Sequence, residues 1–177
     1  MKLRNIFVLV APFLAIAVIL LSTFNSNSIP TFSEPAQPFS VSLIKKDELF
    51  NLVNSERTKQ NIPSLYLSEN LNETALIKCK DMVKRDYWSH TDPDGNKSLV
   101  LNDIRNPSGI YAKGGENLAN GFNNASEVVN GWMNSPEHKR SILDKDFTLV
   151  GYAVCYSPNF RHEGKKILVV QHFARPN

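Results

Sequence analysis

The 177-residue sequence has no strong excess of charge of one sign, because 20 lysine and arginine residues against 17 aspartate and glutamate residues give a net charge of +3. The two signs are interspersed along the chain and are not gathered into a basic stripe. A nucleic-acid-binding domain of this size normally carries such a stripe. We therefore expect no nucleic-acid partner.

Several common enzyme signatures are also missing from the sequence. It has no glycine-rich nucleotide-binding loop, no Gly-x-Ser-x-Gly elbow, no His-Glu-x-x-His pair and no Cys-x-x-Cys pair. These absences exclude the corresponding nucleotide-binding, serine-hydrolase, zinc-protease and dithiol chemistries. Any active chemistry must come from residues that are scattered along the chain.

Cysteine is scarce, with Cys79 and Cys155 as the two members of an even count. In an oxidising compartment the pair can form a disulfide that closes a long loop and stabilises the fold. Alternatively, both remain thiols that pack as small hydrophobic side chains, because Cys79 lies at an inward helical spacing and Cys155 in an apolar strand pattern. The sequence leaves both interpretations open.

The amino-terminal segment is typical of a secretory leader. Lys2 and Arg4 precede a run from Ile6 to Leu21 that is apolar apart from Pro12. We interpret residues 1–24 as a signal peptide or an N-terminal membrane anchor, and the lack of an Ala-x-Ala pattern after Leu21 favours the anchor. Under the positive-inside rule the rest of the chain is extracytoplasmic, either secreted or anchored to the membrane by residues 6–21.

Residues 25–42 are rich in proline, serine and asparagine without apolar periodicity, which predicts a flexible linker. The remaining residues, 43–177, have the length of one domain with a single hydrophobic core. Helical spacing comes first and strand-like runs come last, a pattern that predicts an α+β domain. The predicted helices cover residues 43–59, 69–85, 99–104, 126–133 and 136–143, and a predicted hairpin pairs Thr148–Tyr156 with Lys166–Phe173.

Three polar residues in segments predicted as irregular or as helix starts are candidates for chemistry: His90, Glu116 and His138. Two imidazoles and a carboxylate can bind a divalent ion such as zinc with an open position, or can share general acid and base roles near neutral pH. The simpler interpretation of His90 is a histidine at a helix exit that bonds a backbone carbonyl. Glu116 follows two glycines and precedes an Asn-Leu-Ala segment, which suggests an inward carboxylate that needs a partner.

Five segments, taken together and in order, resemble the cysteine-rich secretory, antigen five and pathogenesis-related (CAP or SCP) superfamily, and especially its bacterial extracytoplasmic branch. They are Asn54-x-x-Arg57, Ser89-His90-Thr91-Asp92-Pro93-Asp94-Gly95, Gly115-Glu116-Asn117-Leu118-Ala119, Trp132-Met133-Asn134-Ser135-Pro136-Glu137-His138-Lys139 and Val150-Gly151-Tyr152-Ala153. The resemblance spans about Leu43 to Phe173. It implies a three-layer α-β-α sandwich with a central antiparallel sheet.

The resemblance also implies a ligand cleft. The family places two histidines and two glutamates around it, and His90, Glu116 and His138 match three of these positions. At the fourth position this sequence has Ser135 instead of glutamate. Some members hold zinc or another divalent metal through the histidines, which makes His90 and His138 the candidate metal ligands. Without the fourth side chain the coordination is incomplete, and we expect no required cofactor.

Two functions follow from the resemblance. The first is an extracytoplasmic binding module for a cell-envelope, lipid or peptide ligand in a cleft around His90, Glu116, Ser135 and His138. The second is a metal-assisted hydrolase, in particular a peptidase, that uses the same residues. The sequence favours the binding module over the enzyme, because no candidate nucleophile lies beside the histidines.

Overall fold

A computed structural model describes residues 44–96 and 110–177. The predicted leader at 1–24, the predicted linker at 25–42 and the predicted helix at 99–104 lie outside these residues. Within the two described ranges, no helix is both long enough and apolar enough to span a membrane.

Four helices form close to the predicted positions. Ser68 begins the second helix as predicted, since its side chain accepts a hydrogen bond from the Leu71 amide. Pro136 occupies the first turn of the last helix, where the missing amide proton costs nothing. The third helix starts one residue earlier than predicted because Asn124, whose side chain accepts from the Glu127 amide, is its cap. The helices are α1 (Lys46–Lys59), α2 (Glu69–Arg85), α3 (Ala125–Asn134) and α4 (Pro136–Leu143).

Four strands form one sheet in the order β1-β3-β4-β2. The predicted hairpin is confirmed as β3 and β4, and β2 pairs antiparallel with the other side of β4. β1 adds a parallel pair of only two residues to β3, so the sheet is antiparallel except at this edge. The segment around Glu116, predicted as irregular, is instead β2. The strands are β1 (Tyr66–Leu67), β2 (Tyr111–Asn120), β3 (Leu149–Ser157) and β4 (Lys166–Pro176).

The sheet lies between two helical layers, which confirms the three-layer α+β sandwich. α2 covers one face, where Cys79 and Met82 pack with Leu168 and Val170. On this face Cys79 is joined to Cys155 of β3 by a disulfide, with the two Cα atoms 6.0 Å apart. α1, α3 and α4 cover the opposite face, where the largest buried side chain is Trp132.

Two positions show why the layers pack closely. Gly151 of β3 lies directly under α2, and a Cβ atom there would overlap the backbone of Leu71 and Asn72. Arg57 of α1 is 1% exposed, and its guanidinium donates four hydrogen bonds to backbone carbonyls. A buried guanidinium is tolerated only when its donors are satisfied. Arg57 therefore ties α1 to the segments beside it; the four carbonyls belong to Pro63, Ile142, Asp144 and Phe147.

Candidate functional site

The centre of the candidate site is a cross-strand pair. Glu116 of β2 lies directly opposite His172 of β4 in the sheet register, on the face that α2 covers. His172 Nε2 lies 2.9 Å from Glu116 Oε2, and the two side chains are 0% and 2% exposed. The sheet therefore places a carboxylate and an imidazole together in the interior.

His90 contacts the same Glu116 carboxylate from the solvent side. It lies in the segment after α2, and its Nδ1 is 2.6 Å from Glu116 Oε1. The His90 side chain is 56% exposed, whereas the carboxylate that it contacts is buried. Both oxygens of Glu116 are thus occupied by imidazoles, and a line of polar groups runs from the interior to the surface.

Thr74 of α2 extends this line on the interior side. Its hydroxyl oxygen lies 2.9 Å from His172 Nδ1 and 3.1 Å from the Leu71 carbonyl oxygen. Thr74 is buried because it belongs to the α2 face that packs on the sheet. The ordered series Thr74, His172, Glu116 and His90, here called the polar line, joins α2, β4, β2 and the segment after α2.

Glu116 is ionised within the polar line. Burial alone would raise the pKa of its carboxyl group, but the hydrogen bonds from His172 and His90, together with the nearby His172 and Lys78 charges, lower it to about 2. A carboxylate accepts hydrogen bonds only, so the facing nitrogens, His172 Nε2 and His90 Nδ1, both carry protons. The exposed nitrogen of His90 is therefore Nε2.

Lys78, a buried lysine of α2, holds the segment around His90 in place. Lys78 of α2 is 2% exposed, and its ammonium donates to the His90 carbonyl oxygen at 3.3 Å and to the Tyr87 hydroxyl at 3.2 Å. Burial lowers the pKa of Lys78, and the nearby Glu116 carboxylate partly opposes this change. Lys78 thus fixes the backbone of the segment while Glu116 fixes the ring.

Arg85, in the last turn of α2, anchors the next part of the same segment. Its guanidinium pairs with the Asp94 carboxylate at 2.9 Å, and Asp92 accepts from the Asn96 amide at 2.8 Å within the turn. The segment that contains His90 is therefore attached to α2 before the histidine, through Tyr87 and Lys78, and after it, through Asp94 and Arg85.

His138 approaches the site from the opposite helical layer. β2 is an edge strand, and its Asn117 side chain donates to the His138 carbonyl oxygen at 3.2 Å. Burial, followed by the charge of His90, lowers the pKa of His138, which leaves its ring mainly neutral at pH 7. Ser135 lies at the start of α4, where its side chain makes no capping hydrogen bond. The structure thus brings His90 and Glu116 into contact, with His138 within electrostatic range.

The donor set fits a zinc site poorly. Structural zinc has four protein ligands and catalytic zinc usually has three, whereas the candidate donors here are the exposed imidazole of His90 and the partly buried imidazole of His138. Glu116 has both oxygens engaged by histidines, and Ser135 supplies no carboxylate. Over residues 44–96 and 110–177, no group of three or more histidine, cysteine, aspartate or glutamate side chains is arranged to hold a metal ion.

A separate cavity of about 490 Å³ lies along α2 and β3, near the other edge of the sheet. It is lined by Leu76, Val154 and Tyr152 among others, and by none of His90, Glu116, Ser135 or His138. The cavity and the polar line are therefore different features of the surface.

Three residues of the site were not predicted from the sequence: His172, Thr74 and Lys78. His172 was covered by the predicted strand at Lys166–Phe173, but its partner Glu116 was assigned to an irregular segment. A cross-strand neighbour can be identified only when both strands are known. Lys78 lies at helical spacing from Thr74 and Met82, so the sequence did show a lysine within the inward stripe of α2. A lysine at such a position indicates a buried charge that needs a partner.

Comparisons with known proteins agree with the fold. The profile of the cysteine-rich secretory protein family, CAP, matches residues 50–173. The chain is 36% identical over 122 residues to the uncharacterized protein YkwD of Bacillus subtilis (strain 168). This match covers 68% of the present chain and 46% of YkwD, so the chain spans less than half the length of that relative.

Solved structures show the same similarity. An extracellular protein containing a SCP domain, from Bacillus anthracis, superposes with a TM-score of 0.58 at 26% identity, covering 73% of this chain and 40% of that protein. An outer surface protein from Borrelia burgdorferi superposes with a TM-score of 0.61 at 21% identity, covering 74% of this chain and 92% of that protein. The second similarity shows the fold alone.

Proposed function

Because this chain belongs to the cysteine-rich secretory protein (CAP) family, we propose that it is an extracytoplasmic binding module that recognises a polar group of a cell-envelope, lipid or peptide ligand beside His90, Glu116 and His138. The observation that carries the proposal is the occupancy of Glu116. Both of its oxygens are bonded to histidines and its side chain is 2% exposed. It serves as a fixed support for His90 and is not available to take a proton from a substrate.

The exposed groups define the chemistry that the site recognises. His90 Nδ1 is bonded to Glu116, so Nε2 faces outward and, in the neutral ring, accepts a hydrogen bond. The lowered pKa of His138 favours the neutral form of its imidazole, which lies in the same region. Two imidazole rings, which can donate or accept hydrogen bonds, suit a hydroxyl or amide group, and such groups occur in envelope saccharides, lipid headgroups and peptides.

The extracytoplasmic location has two supports. The relative from Bacillus anthracis is an extracellular protein, and it is 26% identical to this chain. The structure joins Cys79 and Cys155 in a disulfide, a bond that persists mainly in oxidising compartments. The predicted leader, with its choice between a signal peptide and a membrane anchor, agrees with this location.

The test is a binding measurement with three probes: purified cell-wall sacculi, vesicles of anionic phospholipid and a mixture of unstructured peptides. We expect one probe to bind the full chain, and the variants His90→Ala and His138→Ala to weaken that binding at least about tenfold, the loss of roughly one good hydrogen bond. The matched control is His162→Asn, because His162 is exposed on the short 3₁₀ helix Phe160–His162 and asparagine tolerates its left-handed backbone.

Two results would contradict the proposal. Binding that is equal in the wild type and in both variants would remove the site from recognition. Cleavage of a peptide that is lost in His90→Ala would instead establish the hydrolase function.

A further inference from the structure

His172 is a fully buried histidine whose two ring nitrogens both have polar partners. Nε2 lies 2.9 Å from Glu116 Oε2, and Nδ1 lies 2.9 Å from the Thr74 hydroxyl. A buried imidazole without such partners would destabilise the fold, and an apolar side chain would fill the same space without that risk. The paired nitrogens therefore point to a role that packing alone does not require.

Thr74 can satisfy His172 in either protonation state of the ring. When the ring is neutral, with its proton on Nε2, the Thr74 hydroxyl donates to Nδ1. When the ring is an imidazolium, Nδ1 donates to the Thr74 oxygen, and the hydroxyl proton turns to the Leu71 carbonyl oxygen 3.1 Å away. In both states Nε2 keeps its proton on the side of Glu116. The donor to the carboxylate is thus constant.

We propose that His172 and Thr74 are positioning residues, which hold Glu116 in one orientation and thereby keep the His90 ring in the Nδ1-protonated form with Nε2 directed to solvent. The isolated carboxylate could rotate and take other partners. With Oε2 held by His172, Oε1 is left to face the His90 ring. The proposal rests on the proposed function in one respect, namely that the fixed Nε2 atom of His90 meets the ligand.

The first experiment measures the tautomer of His90 directly, by NMR of the full chain labelled with ¹⁵N-histidine at neutral pH. We expect the wild type to show the Nδ1-protonated form of His90. In His172→Phe the ratio of the two tautomers shifts about tenfold or more toward Nε2-protonated, because a hydrogen bond to a charged group is lost from the support of Glu116. His172→Gln restores the wild-type ratio, since its amide donates from nearly the same place as Nε2.

The second experiment keeps His172 and changes its partner. Thr74→Val removes the hydroxyl with little change in volume, and we expect a smaller shift of the His90 tautomer ratio in the same direction. Thr74→Ser restores the hydroxyl and the wild-type ratio. The matched control is Thr58→Val on α1, where an exposed threonine hydroxyl also donates to its own helix, at 2.9 Å to the Asn54 carbonyl. This control leaves the His90 spectrum unchanged.

A double variant separates positioning from a general loss of structure. In a Glu116→Gln background the added His172→Phe change has no further effect on His90, because the two residues act through one chain of contacts. An unaltered His90 tautomer ratio in folded His172→Phe would overturn the proposal. So would a His172→Phe change that shifts the ratio as much in the Glu116→Gln background as it does in the wild type. If His172→Phe does not fold, the Thr74 pair decides by the same criterion.

The readout also separates this proposal from the proposed function. The tautomer is measured without any ligand, so a protein that binds none of the three probes still tests the positioning role. Conversely, the wild type and the folded variants His172→Gln and His172→Phe could all bind a probe equally well while only His172→Phe shows a changed His90 tautomer. That result would keep the positioning role and remove its link to binding.

Discussion

Two neighbouring rows of residues cross the sheet side by side and differ in chemistry. The ionisable row, Glu116 with His172 and Gly151, faces α2, whereas the neutral row, Asn117 with Gln171 and Tyr152, faces the opposite layer. Successive residues of a strand point to opposite faces, which is why adjacent residues belong to different rows. Each row pairs the same three strands, so their differences come from the side chains and from what covers them.

The neutral row is joined by hydrogen bonds between amide and phenol groups. Asn117 donates to Gln171 Oε1 at 3.0 Å, Gln171 donates to the Tyr152 hydroxyl at 3.0 Å, and burial raises the pKa of Tyr152. The ionisable row instead continues through Glu116 to the exposed ring of His90. Of these two rows, the ionisable one reaches an exposed side chain, whereas the neutral one runs from the His138 backbone carbonyl to the buried Tyr152 hydroxyl.

The largest expected effect comes from separating α2 from the ionisable row. Gly151→Ala would force a Cβ atom into the backbone of Leu71 and Asn72, which cannot move as a flexible side chain would. We expect a loss of roughly 3 kcal/mol or more in the free energy of unfolding, measured by urea denaturation. Gly115→Ala is the counterpart on the neutral face, where the added atom meets the Phe147 ring, and a smaller loss is expected. Equal losses would contradict the difference between the faces.

The next effect is a pH dependence confined to the ionisable row. The folded-state pKa of Glu116 is lowered from 4.5 to about 2, so its contribution to stability is present above about pH 4.5 and is lost as the pH falls toward 2. Relative to Glu116→Gln, the wild type should lose roughly 2–3 kcal/mol of unfolding free energy over this range. Urea denaturation at a series of pH values measures the difference. A difference that stays constant from pH 6 to pH 2 would refute the assignment.

The smallest expected effect tests the neutral row. Tyr152→Phe removes the hydroxyl that accepts from Gln171, leaving a buried amide donor without that partner. We expect a loss of about 1 kcal/mol in unfolding free energy. Because the row carries no charge, this loss should be the same between pH 3 and pH 7. A strong pH dependence would show that the neutral row is coupled to the ionisable one.

Much of the fold could be predicted from local patterns. Helix starts followed from apolar spacing, from the Ser68 cap and from Pro136 in a first turn, and the final hairpin followed from its β-branched runs. β2 was missed because Gly114 and Gly115 weaken the strand pattern, although pairing with β4 satisfies their backbone. Tertiary pairing thus overrode local propensity at this edge of the sheet.

The candidate site was predictable only in part, for a similar reason. His90, Glu116 and His138 were identified by their segments, and the structure places His90 against Glu116. The contribution of His172 was not visible, because 56 residues separate it from Glu116 and only the β2–β4 register makes them neighbours. Lys78 lies in a stripe that otherwise predicts core, and its charge is tolerated through contacts with the His90 segment.

The sequence by itself determined the family, the helices, the hairpin and the residues that form the outer part of the site, because caps, periodicity and short motifs act over a few residues. The tertiary structure decided which of those residues touch and in what state. It bonded both oxygens of Glu116, buried His172 beside Thr74 and left His90 half exposed. The physical reason is that hydrogen bonding and burial of an ionisable group depend on strand register and layer packing, which join residues far apart in the chain.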